Sequence, residues 1–358
     1  MLPGIIPRNL RRGARAARGP APHLALDDAD WTASHRAEGS VVMRSTLRTH
    51  SHDQCPASPR WRIAESKFTS TTLHHLESTT MNDLPKLTRQ HYEKNEAGAS
   101  LVLKLTKILD SLPDGSVDSS QLAGLDQFHV MGLAATEQLA QIAGIERGAA
   151  ILDAGSGLGG PSRYLAGIYG CRVIGVDLSP SFVAVARLLA QRTGLNALVS
   201  YQIGDLLALP FPDNCFDVVW TQHVVMNVPD RERVYREFRR MLRPGGKLAF
   251  YDVLATGASL ELHFPVPWAE NSETSFIFTQ DETSSVLVTA GFTITAWNDV
   301  TIEALKWIGQ QRPPTQGFNL GLVMGPRFGE MSANLARNIR EGRLRVVMGV
   351  CTADGTRS

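Results

Sequence analysis

The chain has 358 residues, enough for one large α/β domain or two small ones. Its 36 Lys and Arg against 35 Asp and Glu give a net charge of +1, and no dense basic run lies in the part that reads as folded. That argues against nucleic acid as a partner, since binding phosphates needs a clustered basic surface. Four scattered cysteines, Cys55, Cys171, Cys215 and Cys351, form no CxxC pair. Neither a metal site nor a disulfide framework is therefore expected, and a reducing, cytoplasmic setting fits. No apolar run approaches the roughly 20 residues that cross a bilayer, so no membrane span is expected.

Residues 1–80 differ from the rest. The opening MLPGIIPRNLRRGARAARGP carries arginines and no acid, and a patchwork rich in Ser, Thr, His and Arg follows without sustained periodicity. Such a segment buries too little apolar area to offset its ordering entropy. It reads as a disordered leader, either a transit peptide or an over-long start. Asp27, Asp28, Asp30 and Glu38 weaken the transit reading, and MNDLPKLTRQHYEKNEAG makes Met81 the favoured beginning.

Residues 81–145 read as an N-terminal helical lid. Helical spacing appears in LTRQHYEKN, in SLVLKLTKILDSL and in the latter part of GLDQFHVMGLAATEQLAQIAGI, where Gly144 is a candidate C-cap. From about residue 146 to 358, short apolar runs alternate with amphipathic segments. The runs are AAILDAG, CRVIGVDLS, LVSYQIGD, FDVVWTQ, KLAFYDVL, FTITAWND and RVVMGVCTA. Buried strands alternating with helices predict an α/β fold: a Rossmann-like, seven-stranded, mostly parallel sheet with helices on both faces.

ILDAGSGLGG follows the first predicted strand and opens a helix, and Gly155, Gly157 and Gly160 match G-x-G-x-x-G. Glycines there allow a tight turn and close approach of a ligand to the backbone. Asp177 stands at the end of the next strand, where a carboxylate can accept both ribose hydroxyls of an adenosine. Two cofactors compete. A nicotinamide dinucleotide brings a pyrophosphate that needs free backbone N–H groups, and Asp153 at the mouth of the loop would repel it. S-adenosylmethionine brings a sulfonium and an ammonium, with which Asp153 is compatible.

ILDAGSGLGG, VIGVDLS, GDLLALPFPDNCFDVVWTQ and MLRPGGKLAFYD, in this order, resemble the successive motifs of class I S-adenosylmethionine-dependent methyltransferases over about residues 130–300. The resemblance implies that Gly155, Ser156 and Gly157 line the methionine part of the cofactor. It implies that Asp177, with Leu178 beside it, holds the ribose, that Asp205 and the backbone of Leu206 contact the adenine amine, and that Gln222 closes over the cofactor. LRPGG is the expected turn into the fifth strand. The flanking sequence is similar to sarcosine/dimethylglycine methyltransferases and more loosely to sugar, quinone and tocopherol methyltransferases, which implies a small-molecule acceptor.

Many such enzymes carry histidines after the fourth strand, where this chain has Met226 and Asn227 with His223 slightly earlier. A general base is needed only if the acceptor is protonated; the candidates are His223 first, His129 second, then His263 and Tyr92. Tyr92, Asn227, His263 and Trp268 are the candidate acceptor contacts. Insertions at about 255–280, which also hold Phe264, Phe276 and Phe278, and at about 301–342, with Trp307 and Arg327, are expected to cover the pocket. The second could equally form a homodimer surface.

The reading that results is methyl transfer to a small acceptor, such as a methylated glycine. The alternatives are C- or O-methylation of a quinol, phenol or sugar, a nicotinamide-dependent oxidoreductase, and a non-catalytic cofactor-binding protein.

Overall fold

The computed structural model describes residues 84–93, 98–111, 117–257, 261–310 and 319–354. The leader of residues 1–80 and its alternative start at Met81 lie outside them.

All seven apolar runs are strands: β1 (Ala150–Ala154), β2 (Arg172–Asp177), β3 (Val199–Ile203), β4 (Phe216–Gln222), β5 (Leu242–Ala255), β6 (Phe292–Asp299) and β7 (Leu344–Ala353). They form one sheet in the order β3-β2-β1-β4-β5-β7-β6. Only the β7 pairings are antiparallel. β1 is buried at every position, as a strand covered on both faces must be, which is why it is apolar except at Asp153 near its carboxyl end.

The helices are α1 (Leu84–Glu93), α2 (Gly98–Asp110), α3 (Ala123–Asp126), α4 (Gly132–Ala143), α5 (Gly160–Tyr169), α6 (Pro180–Arg192), α7 (Arg231–Met241), α8 (Gln280–Thr289), α9 (Thr301–Gln310), α10 (Gly321–Met324) and α11 (Phe328–Arg340). One face of the sheet packs α4, α5, α6, α9 and α11, and the other packs α7 and α8. α6 carries two apolar stripes. Val183, Ala186 and Ala190 face the sheet core, while Phe182, Val185 and Leu189 pack against Leu101, Leu105 and Leu109 of α2. A helix with two such stripes is necessarily sandwiched, and this one joins the N-terminal helices to the sheet.

Local signals set the helix ends. Gly144 takes the left-handed conformation that closes α4, as expected of a C-cap glycine. Pro180 opens α6 behind Ser179, whose Oγ accepts from Phe182 N–H. The expected LRPGG turn is different: Arg243–Gly246 bulges out within β5, so Leu242 pairs Phe216 while Lys247 pairs Val218. Asp217, opposite the bulge, accepts from Ala150 N–H at 2.8 Å and pairs with Arg243, which holds the bulge against the sheet.

From β1 the chain steps outward to β2 and β3 on one side, and to β4 and β5 on the other. At such a switch point a crevice opens beyond the carboxyl ends of the strands. Among the described residues no helix is long and apolar enough to cross a membrane.

Candidate active site

The loop after β1 lies in this crevice. Gly155, Gly157 and Gly159 take φ values of +78°, +52° and +78°, conformations that strain any L side chain. A Cβ on Gly155 would stand 2.4 Å from Val224 Cγ2. The third glycine of the sequence pattern, Gly160, is needed for proximity instead: its Cβ would stand 2.5 Å from the Asp126 carbonyl oxygen. The loop uses its own donors. Gly155 and Ser156 N–H both bond Val176 O, at 2.8 and 3.0 Å, and Gly157 N–H donates to Asp177 Oδ2 at 2.8 Å.

Four aspartates line the cavity above the loop: Asp126, Asp153, Asp177 and Asp205. Asp177 accepts from Gly157 N–H on one oxygen and from Ser179 N–H on the other. Burial raises its pKa against the pull of these backbone bonds. Asp153 accepts from Ser162 Oγ at 2.5 Å, and burial pushes its carboxyl up to about 7. Asp205 bonds Leu207 N–H at 2.9 Å. Asp126 forms a fully buried ion pair with Arg163 of α5, whose guanidinium also bonds Leu158 O. Burial still outweighs Arg163 and takes Asp126 up to about 6.

The histidines meet beyond β4. His223 stands in a left-handed conformation at φ +54° and donates its backbone N–H to Tyr251 O at 2.7 Å. Its ring tilts over that of Tyr251, with centroids 4.7 Å apart, and the His129 ring lies 6.0 Å away. Burial lowers both histidines, His129 to about 4 and His223 well below its ordinary value. Both are therefore neutral at pH 7. His129 Nε2 lies 3.0 Å from Gln127 Oε1. Gln222 is held from behind, its Oε1 accepting from Trp220 Nε1 at 2.9 Å. Ser156 Oγ, Gln222 Nε2 and His223 Nε2 are buried without a hydrogen-bond partner. Native interiors rarely leave such atoms unpaired, and all three residues line the cavity.

The cavity encloses about 1150 Å³, open mouth included. It gathers Tyr92, His129, Asp153, Gly155, Ser156, Gly157, Asp177, Leu178, Asp205, Leu206, Gln222, His223 and Asn227. Asn227 Nδ2 donates to Tyr92 Oη at 3.3 Å, which ties the N-terminal helix α1 to the segment after β4. A second, shallower cavity of about 350 Å³, open mouth included, lies beside it. Tyr92, Phe128 and His223 line both, and Trp268 lines the second.

His263 is placed elsewhere and lines neither cavity. Asn338 of α11 accepts from His263 N–H and donates to His263 O, and the imidazole meets Glu341 at 2.8 Å. The double backbone clamp turns the side chain toward the surface. Arg327 is likewise taken up by Glu270 and Glu330, and Phe278 lies under the Arg231 guanidinium, 4.3 Å from ring centroid to carbon.

Phe182, Leu320, Met324 and Phe328 also line the cavities, and nothing in the sequence marks them. Phe182 stands edge-on to both Phe128 and Tyr92. An apolar residue that lines a cavity carries the same periodic signal as one that fills a core, so spacing could not have found it. Among the described residues no group of three His, Cys, Asp or Glu is placed to hold a metal ion.

Sheet order, glycine loop and the acid after β2 together are those of a Rossmann-like fold. A family model described as "Methyltransferase domain" matches residues 152–250. The chain is 36% identical over 135 residues to methyltransferase GfsG of Streptomyces halstedii, covering 38% of this chain and 49% of that one. It is 40% identical over 109 residues to the glycine/sarcosine/dimethylglycine N-methyltransferase of Actinopolyspora halophila, covering 30% and 19%. The chain thus spans half or less of the length of these curated relatives. Among solved structures, the geranyl diphosphate C-methyltransferase of Streptomyces coelicolor A3(2) shares the fold. It has a TM-score of 0.55 and 19% identity, over 76% of this chain and 97% of that one.

Proposed function

We propose that the protein transfers a methyl group from S-adenosylmethionine to a small-molecule acceptor. One observation carries the choice of cofactor: the N–H groups of Gly155, Ser156 and Gly157 are all engaged within the protein. None of these three remains for a pyrophosphate, which a dinucleotide site requires. The cavity instead presents Asp153, Asp177 and Asp205, a lining suited to a cofactor with a sulfonium and an ammonium.

In this reading Asp177 takes the ribose hydroxyls. Its two oxygens provide about four acceptor sites, of which the two backbone N–H groups use half. Asp153, with the Gly155–Gly157 loop, faces the methionine part. Leu178 stands beside Asp177, Asp205 and Leu206 take the adenine, and Gln222 closes over the cofactor. When bound, the cofactor supplies an activated methyl carbon. The protein supplies alignment and a site closed to water, which together lower a barrier by several kcal/mol. His223 is the base for an acceptor that must lose a proton, with His129 behind it. Tyr92, Asn227 and Trp268 are the acceptor contacts. The proposal includes a reducing, cytoplasmic setting, in keeping with the scattered cysteines of the sequence.

Calorimetric titration of the full chain with S-adenosylmethionine and, separately, NAD tests the cofactor. A methyl-donor assay over amines, phenols, quinol precursors and sugars tests the reaction. Binding of NAD in preference to S-adenosylmethionine overturns the proposal, and tight binding without transfer to any acceptor leaves a cofactor-binding protein.

A further inference from the structure

The second cavity touches the first at His223, and the character of its walls narrows the acceptor. Its other lining side chains include Met226, Trp268, Leu320, Met324 and Phe328. They come from the segment after β4, from the first insertion and from α10 and α11, elements brought together only by folding. Several polar handles nearby are already committed. Trp268 Nε1 donates to Ser275 Oγ at 2.9 Å, so its ring presents carbon. His91 Nε2 lies 3.0 Å from Pro267 O, and Tyr92 Oη accepts from Asn227. The nearby surface cation Arg327 is paired with Glu270 and Glu330.

Among the described lining residues there is no acid and no base other than His223, and His223 is neutral at pH 7. An acceptor carboxylate or phosphate placed there would be a buried charge without a partner, which costs far more than an apolar surface does. One polar atom does await a partner: His223 Nε2, buried and unbonded. A hydroxyl, able both to donate and to accept, satisfies that atom in either imidazole tautomer.

We infer that the acceptor is an uncharged, largely apolar hydroxyl compound, its skeleton seated against Trp268, Met324 and Phe328 and its hydroxyl at His223. The inference rests on the methyl-transfer reading and sets aside amino-acid acceptors such as a methylated glycine. As the hydroxyl oxygen takes the methyl group, the O–C bond forms and the C–S bond breaks. Sulfur keeps that electron pair and the hydroxyl proton passes to His223 Nε2. One positive charge disappears at sulfur and one appears on the imidazole, so the total charge is unchanged.

The test is binding to the full chain loaded with S-adenosylhomocysteine, followed by calorimetry, with 2-naphthol, 6-hydroxy-2-naphthoate and sarcosine as probes. 2-Naphthol is expected to bind at least about tenfold more tightly than its carboxylated counterpart, a difference well within what one unpaired buried charge produces. Sarcosine is expected not to bind. Phe328 is half-exposed at the start of α11, so Phe328→Glu places an acid at the cavity wall with little risk to the core. It should weaken 2-naphthol by about tenfold or more and leave S-adenosylhomocysteine affinity unchanged, while Phe328→Leu retains 2-naphthol.

Equal or tighter binding of 6-hydroxy-2-naphthoate or of sarcosine overturns the inference. So does failure of 2-naphthol to bind the loaded protein, or indifference of its binding to Phe328→Glu. The underlying reading fails separately, at the first step, if S-adenosylhomocysteine itself does not bind.

Discussion

Gly157 donates its backbone N–H to Asp177 Oδ2 across 2.8 Å. The loop after β1 and the acid after β2 are therefore one unit, in which the carboxylate both shapes the loop and faces the cavity. Asp177→Ala should orphan the Gly157 and Ser179 N–H groups and remove the ribose acceptor together. The expected outcome is at least a hundredfold loss of S-adenosylmethionine affinity by calorimetry, with about 1–3 kcal/mol of stability lost through each unpaired buried group. Asp177→Asn, which still accepts one of the two bonds, should fall between. Normal cofactor affinity in the alanine variant would remove the ribose assignment.

Gly155 tests the loop geometry independently of charge. Its φ of +78° and the 2.4 Å approach to Val224 Cγ2 act separately. Gly155→Ala should lower the melting temperature and cofactor affinity. Adding Val224→Ala should restore part of both, because it removes the two closest contacts and leaves the Val224 Cβ at 3.1 Å together with the roughly 1–2 kcal/mol of left-handed strain. A double variant no better than the single one would mean that the collision is relieved by movement elsewhere.

His223→Ala should lower turnover while cofactor affinity, measured by titration, stays within about twofold. Burial holds the His223 pKa well below its usual value. A neutral base is present above that pKa and lost below it, so the imidazole is already in its active form near neutrality. Turnover at saturating cofactor should consequently be flat from about pH 6 to 8; a rising limb centred near pH 7 would contradict the assignment.

Asp153 carries the opposite sign. Its folded pKa of about 7 stands above the ordinary value of 3.8. The stability it contributes to the empty protein is complete below pH 3.8 and is lost as pH rises through about 7. A cationic cofactor prefers the ionised form, so affinity should rise over the same interval and binding near neutrality should release a proton. Asp153→Asn keeps an acceptor for Ser162 and does not titrate. Its melting temperature relative to the wild type should increase from about pH 5 to pH 8, and its cofactor affinity should lose its pH dependence. Calorimetry in buffers of different ionisation heat counts the released proton directly.

The buried pair of Asp126 with Arg163 ties α3 to α5 behind the glycine loop. Asp126→Ala leaves the Arg163 guanidinium, 0% exposed along its side chain, without its counter-ion. Removing one partner of such a pair costs about 3–5 kcal/mol, which denaturant unfolding would register. A change under about 1 kcal/mol would show that Arg163 finds water or another acceptor.

Much of the fold was legible along the chain because each signal is local. A strand covered on both faces must be mostly apolar, as AIL ahead of Asp153 and VVMGV are. A helix against a sheet must repeat its apolar residues, as α6 does. Gly155, Gly157 and Asp177 were legible as a site because a tight turn and a strand-end acid have few other uses. LRPGG misled in detail because a bulge within a strand and a turn before it draw on the same glycine chemistry. His263 misled because nothing in its neighbourhood along the chain announces the side chain of Asn338, 75 residues on, which clamps it away from both cavities.

By itself, then, the order of residues determined the class of fold and the cofactor crevice, since backbone conformation, burial period and one strand-end carboxylate are decided within a few residues of each other. Only the tertiary structure decided which side chains wall the second cavity and in what charge state. Trp268, Met324 and Phe328 meet His223 across long separations in the chain, and the imidazole is neutral because of what surrounds it in space. Desolvation and shape are properties of the packed assembly, and no local pattern encodes them.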